Sequence, residues 1–140
     1  MKEKYDVPIA PQSEFILYMM EQMSHFGLPC TEEQAKDFYM YYAHMIETNK
    51  YLNLTGITDM KEVVVKHMID SLSCYDSEII KSGMTIIDVG TGAGFPGIPL
   101  AIYDRSLKVT LFDSLKKRLT FLESVIDELK LTNCTILHGR

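Results

Sequence analysis

The residues best suited to chemistry stand in one run, Asp88-Val89-Gly90-Thr91-Gly92-Ala93-Gly94-Phe95-Pro96-Gly97. Glycines spaced in this way let a backbone turn sharply and approach a ligand with no Cβ in between. A helix opening just after such a turn points its first amides back at it. The combination is suited to a nucleotide-like cofactor lying across the ends of strands. Asp113 follows 19 residues beyond Gly94, where an acidic side chain can accept hydrogen bonds from both hydroxyls of a ribose. Asp88 admits two readings: a carboxylate bonding the amides of the turn, or one facing a cationic group on the ligand.

Two glycine registers compete. Gly92-Ala93-Gly94-Phe95-Pro96-Gly97 is literally GxGxxG, so a dinucleotide has to be weighed. That fingerprint places its first glycine directly after the strand, and the glycine in that place is Gly90. Counted from Gly90, the third glycine position falls on Phe95, whose bulk crowds the helix–strand approach a glycine permits. The Gly90-x-Gly92-x-Gly94 register suits a cofactor with no pyrophosphate to cradle. S-adenosylmethionine is such a cofactor, and its ammonium offers Asp88 a partner that NAD does not. Asp113 supports a nucleoside in either class. Three readings stay open: an S-adenosylmethionine-dependent methyltransferase, a nicotinamide-dependent oxidoreductase, and a non-catalytic cofactor- or partner-binding module.

The elements that must position these residues follow from periodicity. Thr85-Ile86-Ile87-Asp88-Val89 is a short apolar run meeting the glycine turn, so it predicts a buried strand. Gly97 to Tyr103 predicts a short helix, with Pro99 tolerated in its first turn. Lys108 to Phe112 predicts a second strand that delivers Asp113. Ser114 would then cap a long helix facing Leu115, Leu119, Leu122, Val125, Ile126 and Leu129 inward. Cys134 to Leu137 predicts a third strand. The order β-α-β-α-β is the first half of a doubly wound parallel sheet.

Before residue 83 the periodicity is helical, which predicts an N-terminal helical subdomain over 1–82 and a Rossmann-like half-domain over 83–140. Ser13 could cap a helix carrying Phe15, Ile16, Met19, Met20 and Met23, stopped by Gly27. Thr31 with Gln34 forms a capping box for a second helix, whose apolar stripe is Ala35, Phe38, Tyr42, Met45 and Ile46, flanked by Tyr39 and Tyr41. Such a stripe is packing. After a polar loop from Asn49 to Gly56, Asp59 and Glu62 form a second capping box, opening a helix through Val63, Val64, His67, Met68 and Leu72. His67 and Asp70 are three apart; with no further ligands in view, a mutual hydrogen bond is preferred to a metal site.

With 14 Lys+Arg against 19 Asp+Glu, the net charge is −5. That argues against a protein holding nucleic acid chiefly by a basic surface, though not against one meeting RNA through a local patch. Cys30, Cys74 and Cys134 are odd in number and form no CxxC pair, as expected of reduced thiols in a cytoplasmic protein. The opening Met1-Lys2-Glu3-Lys4-Tyr5-Asp6 lacks the apolar run of a signal peptide, and no window has the ~18 apolar residues of a membrane span. A soluble cytoplasmic protein is predicted.

The segment Asp88 to Ala101, with Phe95-Pro96-Gly97 after its glycine triplet, resembles the cofactor loop of the bacterial 16S rRNA guanine-N7 methyltransferases, the glucose-inhibited division protein B family. Three further stretches agree in order and spacing: Asn49-Lys50-Tyr51-x-Asn53-Leu54-Thr55, His67-x-x-Asp70-Ser71-Leu72, and Asp113-Ser114-Leu115-x-Lys117-Arg118. The resemblance implies a class I methyltransferase fold and methyl transfer from S-adenosylmethionine to N7 of one guanine in small-subunit rRNA. It implies a cofactor site at Gly90, Gly92, Gly94, Phe95 and Asp113, with Asp88 in the same loop and Arg140 near the adenine. No general base or metal is required of the chain. Lys116-Lys117-Arg118 crowd a helix start, where the dipole disfavours cations, so Lys117 and Arg118 are candidate RNA contacts; a solvated helix face is the competing reading.

The chain ends just after the third strand, whereas the family continues through the other half of the sheet. A cofactor site at the switch between strands 1 and 4 would then have one wall. Ile86, Ile87 and Val89 would lie on an open apolar edge. Weak or absent activity, and self-association through that edge, are the expectations.

Overall fold

The computed structural model describes residues 7–75 and 79–140; the segment 1–6, read above for a signal peptide, lies outside the described residues. Pro11, extended at ψ 147°, is the residue before α1 (Gln12–His25), and no side chain caps this helix. Ser13 is therefore inside the first turn and not the cap, because proline's fixed φ already presets the helix start. Gly27, at φ +73°, follows the helix end, and the Leu28 amide closes the turn on the Met23 carbonyl. Thr31 opens α2 (Glu32–Asn49) through both bonds of a capping box with Gln34. Helix α2 is buried on more than its apolar stripe. It packs on α1 on one side and on the later helices on the other, so Tyr41, expected at the flank, is fully buried.

The next helical rod has three parts: α3 (Met60–Glu62), a π-helical stretch Val63–Ile69, and α4 (Asp70–Leu72). The Asp59 carboxylate accepts the Glu62 amide, while the Glu62 side chain pairs forward with Lys66 at 3.5 Å. The middle of the rod winds wider than an α-helix, a geometry concentrated at functional sites.

Strands β1 (Thr85–Val89), β2 (Lys108–Asp113) and β3 (Cys134–His138) form one parallel sheet in the order β1-β2-β3. Thr85 pairs with Lys108 and Val109 with Cys134 at the start of the two ladders. All three strands end on the same side, at Val89, Asp113 and His138. The crossovers are α5 (Gly97–Tyr103) and α6 (Lys116–Leu129). Ser114 does not cap α6. The helix starts two residues later, and the Asp113 carboxylate receives the Leu115 amide at 2.9 Å, being a stronger acceptor than a hydroxyl.

One contiguous core joins helices and sheet, from Phe15 and Met19 through Tyr41, Met68 and Ile98 to Leu111, Leu122 and Leu129. It covers one face of the sheet. Side chains alternate along a strand, so Asp88, Val109 and Leu111 are buried while Ile87 and Val89 are exposed at 61% and 72%. These two belong to the uncovered face of β1 as well as to its edge. This is an α/β arrangement: helices, then the first three strands of a Rossmann-like parallel sheet.

Candidate functional site

The glycine turn leaves β1 and is tied at once to the neighbouring strand. The amides of Gly90 and Thr91 both donate to the Phe112 carbonyl, at 2.8 and 3.1 Å. Gly90 and Gly92 have φ of +70° and +60°, and a Cβ at either would meet no atom within 4 Å. A side chain would be strained there and would enter open space beside the loop. Asp88 bonds within the turn. Its Oδ2 accepts the Thr91 hydroxyl at 2.6 Å and the Gly97 amide at 3.0 Å. Burial pushes its carboxyl above the usual range against those two bonds, and the charge of Asp113 adds to the rise. The start of α5 is thus occupied by a carboxylate of the chain itself.

Asp113, at the end of β2, organises the other side of the loop. One carboxylate oxygen accepts the Gly92 amide at 2.9 Å and the other the Leu115 amide; Arg118 stands 3.6 Å away. Burial alone would raise this carboxyl. The Leu115 and Gly92 amides, Arg118 and the Ser114 amide outweigh it and hold Asp113 below the usual carboxylate range. It is an anion at neutral pH whose buried side chain borders a surface depression.

Around it lies an open depression of about 560 Å³, lined among others by Gly90, Asp113, Leu115, Arg118, Gly139 and Arg140. It sits at the carboxyl ends of the strands, where ligands bind in sheets of this kind. Of the residues singled out from the sequence, Gly90, Asp113 and Arg140 come together here, with Gly92 one hydrogen bond away. Arg118 joins them, although it was singled out for RNA. Leu115, expected to face inward on the helix, is instead half-exposed on this wall, because α6 begins only at Lys116 and leaves it outside the helix.

The remaining candidates lie elsewhere. A Cβ on Gly94 would strike Ile98, Tyr41 and Leu122, so this glycine faces the core. Phe95 stacks on His67, with ring centroids 4.2 Å apart and planes at 12°, and leans on Tyr41. The Tyr41 hydroxyl donates to the Ala93 carbonyl at 2.6 Å, so the helical layer holds the loop from behind. Lys117 lines a separate depression with His44, Tyr51 and Phe121, on the other side of α6 from Arg118. The expected His67–Asp70 hydrogen bond is not made. His67 Nε2 bonds Thr55 Oγ1 at 2.9 Å instead, because the wide π turn carries positions three apart off a common face. The 49–55 loop is closed by Asn49, whose Oδ1 accepts the Leu54 and Thr55 amides and whose Nδ2 donates to the Thr55 carbonyl. Among the described residues no group of three or more His, Cys, Asp or Glu could hold a metal, and no helix is long and apolar enough to cross a membrane.

Known proteins resemble this chain over most of its length. Residues 34–140 match the family model described as rRNA small subunit methyltransferase G. The chain is 46% identical over 123 residues to the ribosomal RNA small subunit methyltransferase G of Leuconostoc mesenteroides, covering 86% of this chain and 52% of that protein. It is 47% identical over 121 residues to the protein of the same name from Lachnoclostridium phytofermentans, covering 86% and 50%. The counterpart in Thermoanaerobacter sp. is 48% identical over 122 residues, covering 87% and 51%. The chain spans about half the length of the curated relatives it matches. A glycine turn tied to Asp113 at the strand ends, and a match running from α2 through β3, lead to one conclusion: the chain belongs to the rRNA small subunit methyltransferase G family.

Proposed function

We propose that this chain supplies the cofactor-binding part of a cytoplasmic enzyme that transfers a methyl group from S-adenosylmethionine to N7 of a guanine in 16S ribosomal RNA. The observation that carries this reading is the convergence of Gly90, Asp113 and Arg140 on one depression. The residues present fit the cofactor. Asp113 is an anionic acceptor suited to ribose hydroxyls, and Gly90 and Gly92 leave open space where a side chain would stand. Leu115 and Val89 offer apolar surface for a base. The dinucleotide alternative is disfavoured because Asp88 already holds the Gly97 amide, which leaves the start of α5 without the charge complementarity a pyrophosphate needs.

When bound, S-adenosylmethionine supplies a methyl group on a sulfonium, a good leaving group. Guanine N7 carries a free lone pair, so no side chain has to remove a proton before attack. The chain's contribution is positional. Asp113 fixes Gly92 and with it the loop, Tyr41 holds Ala93, and Phe95 is clamped on His67. Such alignment of two reactants supplies most of the acceleration a transfer of this kind requires.

Calorimetric titration of the chain with S-adenosylmethionine, S-adenosylhomocysteine and NAD tests the reading. Saturable binding of the first two is expected, weakened about 10-fold or more in Asp113→Ala, as removal of a charged acceptor predicts, with the helical circular dichroism retained. Binding of NAD alone, or of none of the three, would overturn it.

A further inference from the structure

A second depression abuts the same loop and shares no lining residue with the first. It has a volume of about 410 Å³ and is bounded by Lys66, His67, Asp70, Ser71, Phe95 and Pro96. The cofactor loop therefore separates two concavities, one at Gly90 and one at Phe95-Pro96.

One wall of the second is aromatic and fixed. Phe95 and His67 are stacked, and His67 is anchored by Thr55. The Thr55 hydroxyl also accepts the Ile57 amide, which fixes its place beside the ring. Burial lowers the pKa of His67 against the pull of Asp70, which keeps the wall uncharged at neutral pH. The opposite rim is polar. Asp70 is exposed and lines the depression, and its carboxylate has no hydrogen-bond or ion-pair partner among the described residues. Lys66, the nearest cation in sequence, is engaged with Glu62. The π-helical stretch produces this division, turning His67 inward and the following α4 residue Asp70 outward.

A carboxylate can only accept hydrogen bonds. Guanine presents two adjacent donors, N1–H and the 2-amino group, whereas adenine presents an acceptor at N1. The N7 of guanine lies on the far edge of the same ring system. A guanine held by its N1 and 2-amino edge therefore leaves N7 free to face away from the carboxylate. Resting on the methyl-transfer reading above, we propose that this depression receives the acceptor guanine, with Asp70 taking the N1–H and 2-amino hydrogens and the Phe95–His67 pair forming its apolar wall. Asp70 is then the residue that selects guanine over adenine.

The test is proton NMR of the His67 ring in the full chain with S-adenosylhomocysteine present, titrated with guanosine, inosine and adenosine 5′-monophosphates. Guanosine monophosphate is expected to shift the His67 signals saturably, and inosine monophosphate, which lacks the 2-amino group, to bind more weakly. Adenosine monophosphate should leave the signals in place. Asp70→Asn, an exposed change that leaves the core untouched, should weaken guanosine monophosphate about 10-fold or more. Equal response to guanosine and adenosine monophosphates, an unaffected Asp70→Asn variant, or no movement of His67 would overturn the proposal while bound S-adenosylhomocysteine left the methyl-transfer reading standing. Failure of S-adenosylhomocysteine itself to bind would overturn both.

Discussion

Replacing Gly97 by alanine tests how closely the loop helix must approach the sheet. A Cβ at this position would lie 2.3 Å from Leu111 Cδ2, 2.9 Å from Asp88 Oδ2 and 3.3 Å from Asp88 Cβ. Carbon atoms prefer a separation of about 3.5–4.0 Å, so α5 would have to lift by more than an ångström. Leu111 is fully buried, so its Cδ2 can give way only by repacking the core around it. Overpacking of this kind costs about 1–3 kcal/mol. Lifting α5 also breaks the bond from the Gly97 amide to the Asp88 carboxylate, and a hydrogen bond to a charged group is worth about 1.5–3 kcal/mol. Against these stands the helix preference of alanine, about 1 kcal/mol. The net loss is about 1.5–5 kcal/mol. For a chain of 140 residues, that corresponds to a fall in melting temperature of about 5–17 °C. Urea unfolding followed by circular dichroism reads the same loss as a lower midpoint with unchanged slope. Gly56→Ala is the control, since its Cβ would meet nothing within 4 Å and its φ is not positive; it should stay within about 0.5 kcal/mol of the parent. If Gly97→Ala proves as stable as Gly56→Ala, the close approach of α5 to β2 is wrong.

Tyr41→Phe leaves the Ala93 carbonyl without its donor and should destabilise the chain by about 1–3 kcal/mol in urea; no change would show that the hydroxyl bond is not formed. Gly90→Ala, at φ +70°, should cost about 1–2 kcal/mol of backbone strain and weaken S-adenosylhomocysteine in calorimetry, since the new methyl enters the depression; unchanged affinity would place the cofactor elsewhere. The folded pKa of Asp113 is depressed, so its stabilising contribution is present above the unfolded value of about 3.9 and is lost as pH falls through the folded value. Urea midpoints measured from pH 7 down to pH 3 should show the gap between the parent and Asp113→Asn closing below about pH 4. A gap independent of pH would contradict the ionic role.

The strands and α5 were legible because their limits coincide with chemistry that acts locally. A β-branched run beside glycines can only end where the turn begins, and Thr85–Val89 and Gly97–Tyr103 fall where the sequence puts them. Helix starts were less legible. Serine was the expected cap of both α1 and α6, but Pro11 and the Asp113 carboxylate set those ends, the latter from a residue assigned to ligand binding. The π-helical stretch left no mark, because Val63, Val64 and Met68 read as an apolar face in either winding. Gly90 and Asp113 were found through their places after successive strands, and Arg140 through the family resemblance. Their separation from Phe95 and Lys117 was not legible, because it depends on how α2 and the π-helical rod pack behind the loop. Tyr41 and His67 reach that loop across 52 and 28 positions of sequence to Ala93 and Phe95, and periodicity carries no information over such spans.

The Asp88 carboxylate at the start of α5 has a further consequence in the presence of competing anions. A helix start left open at a glycine turn attracts inorganic phosphate, sulfate and the backbone of nucleic acid alike, and such ions would contest the site in proportion to their concentration. Here the competitor is tethered within the chain, at an effective concentration of about millimolar or more. Cofactor affinity should therefore change little with added phosphate, and an RNA strand drawn past the loop has no reason to lodge there. On the proposed function, a chain working among ribosomal phosphates is in this way kept from lodging RNA backbone at its cofactor loop.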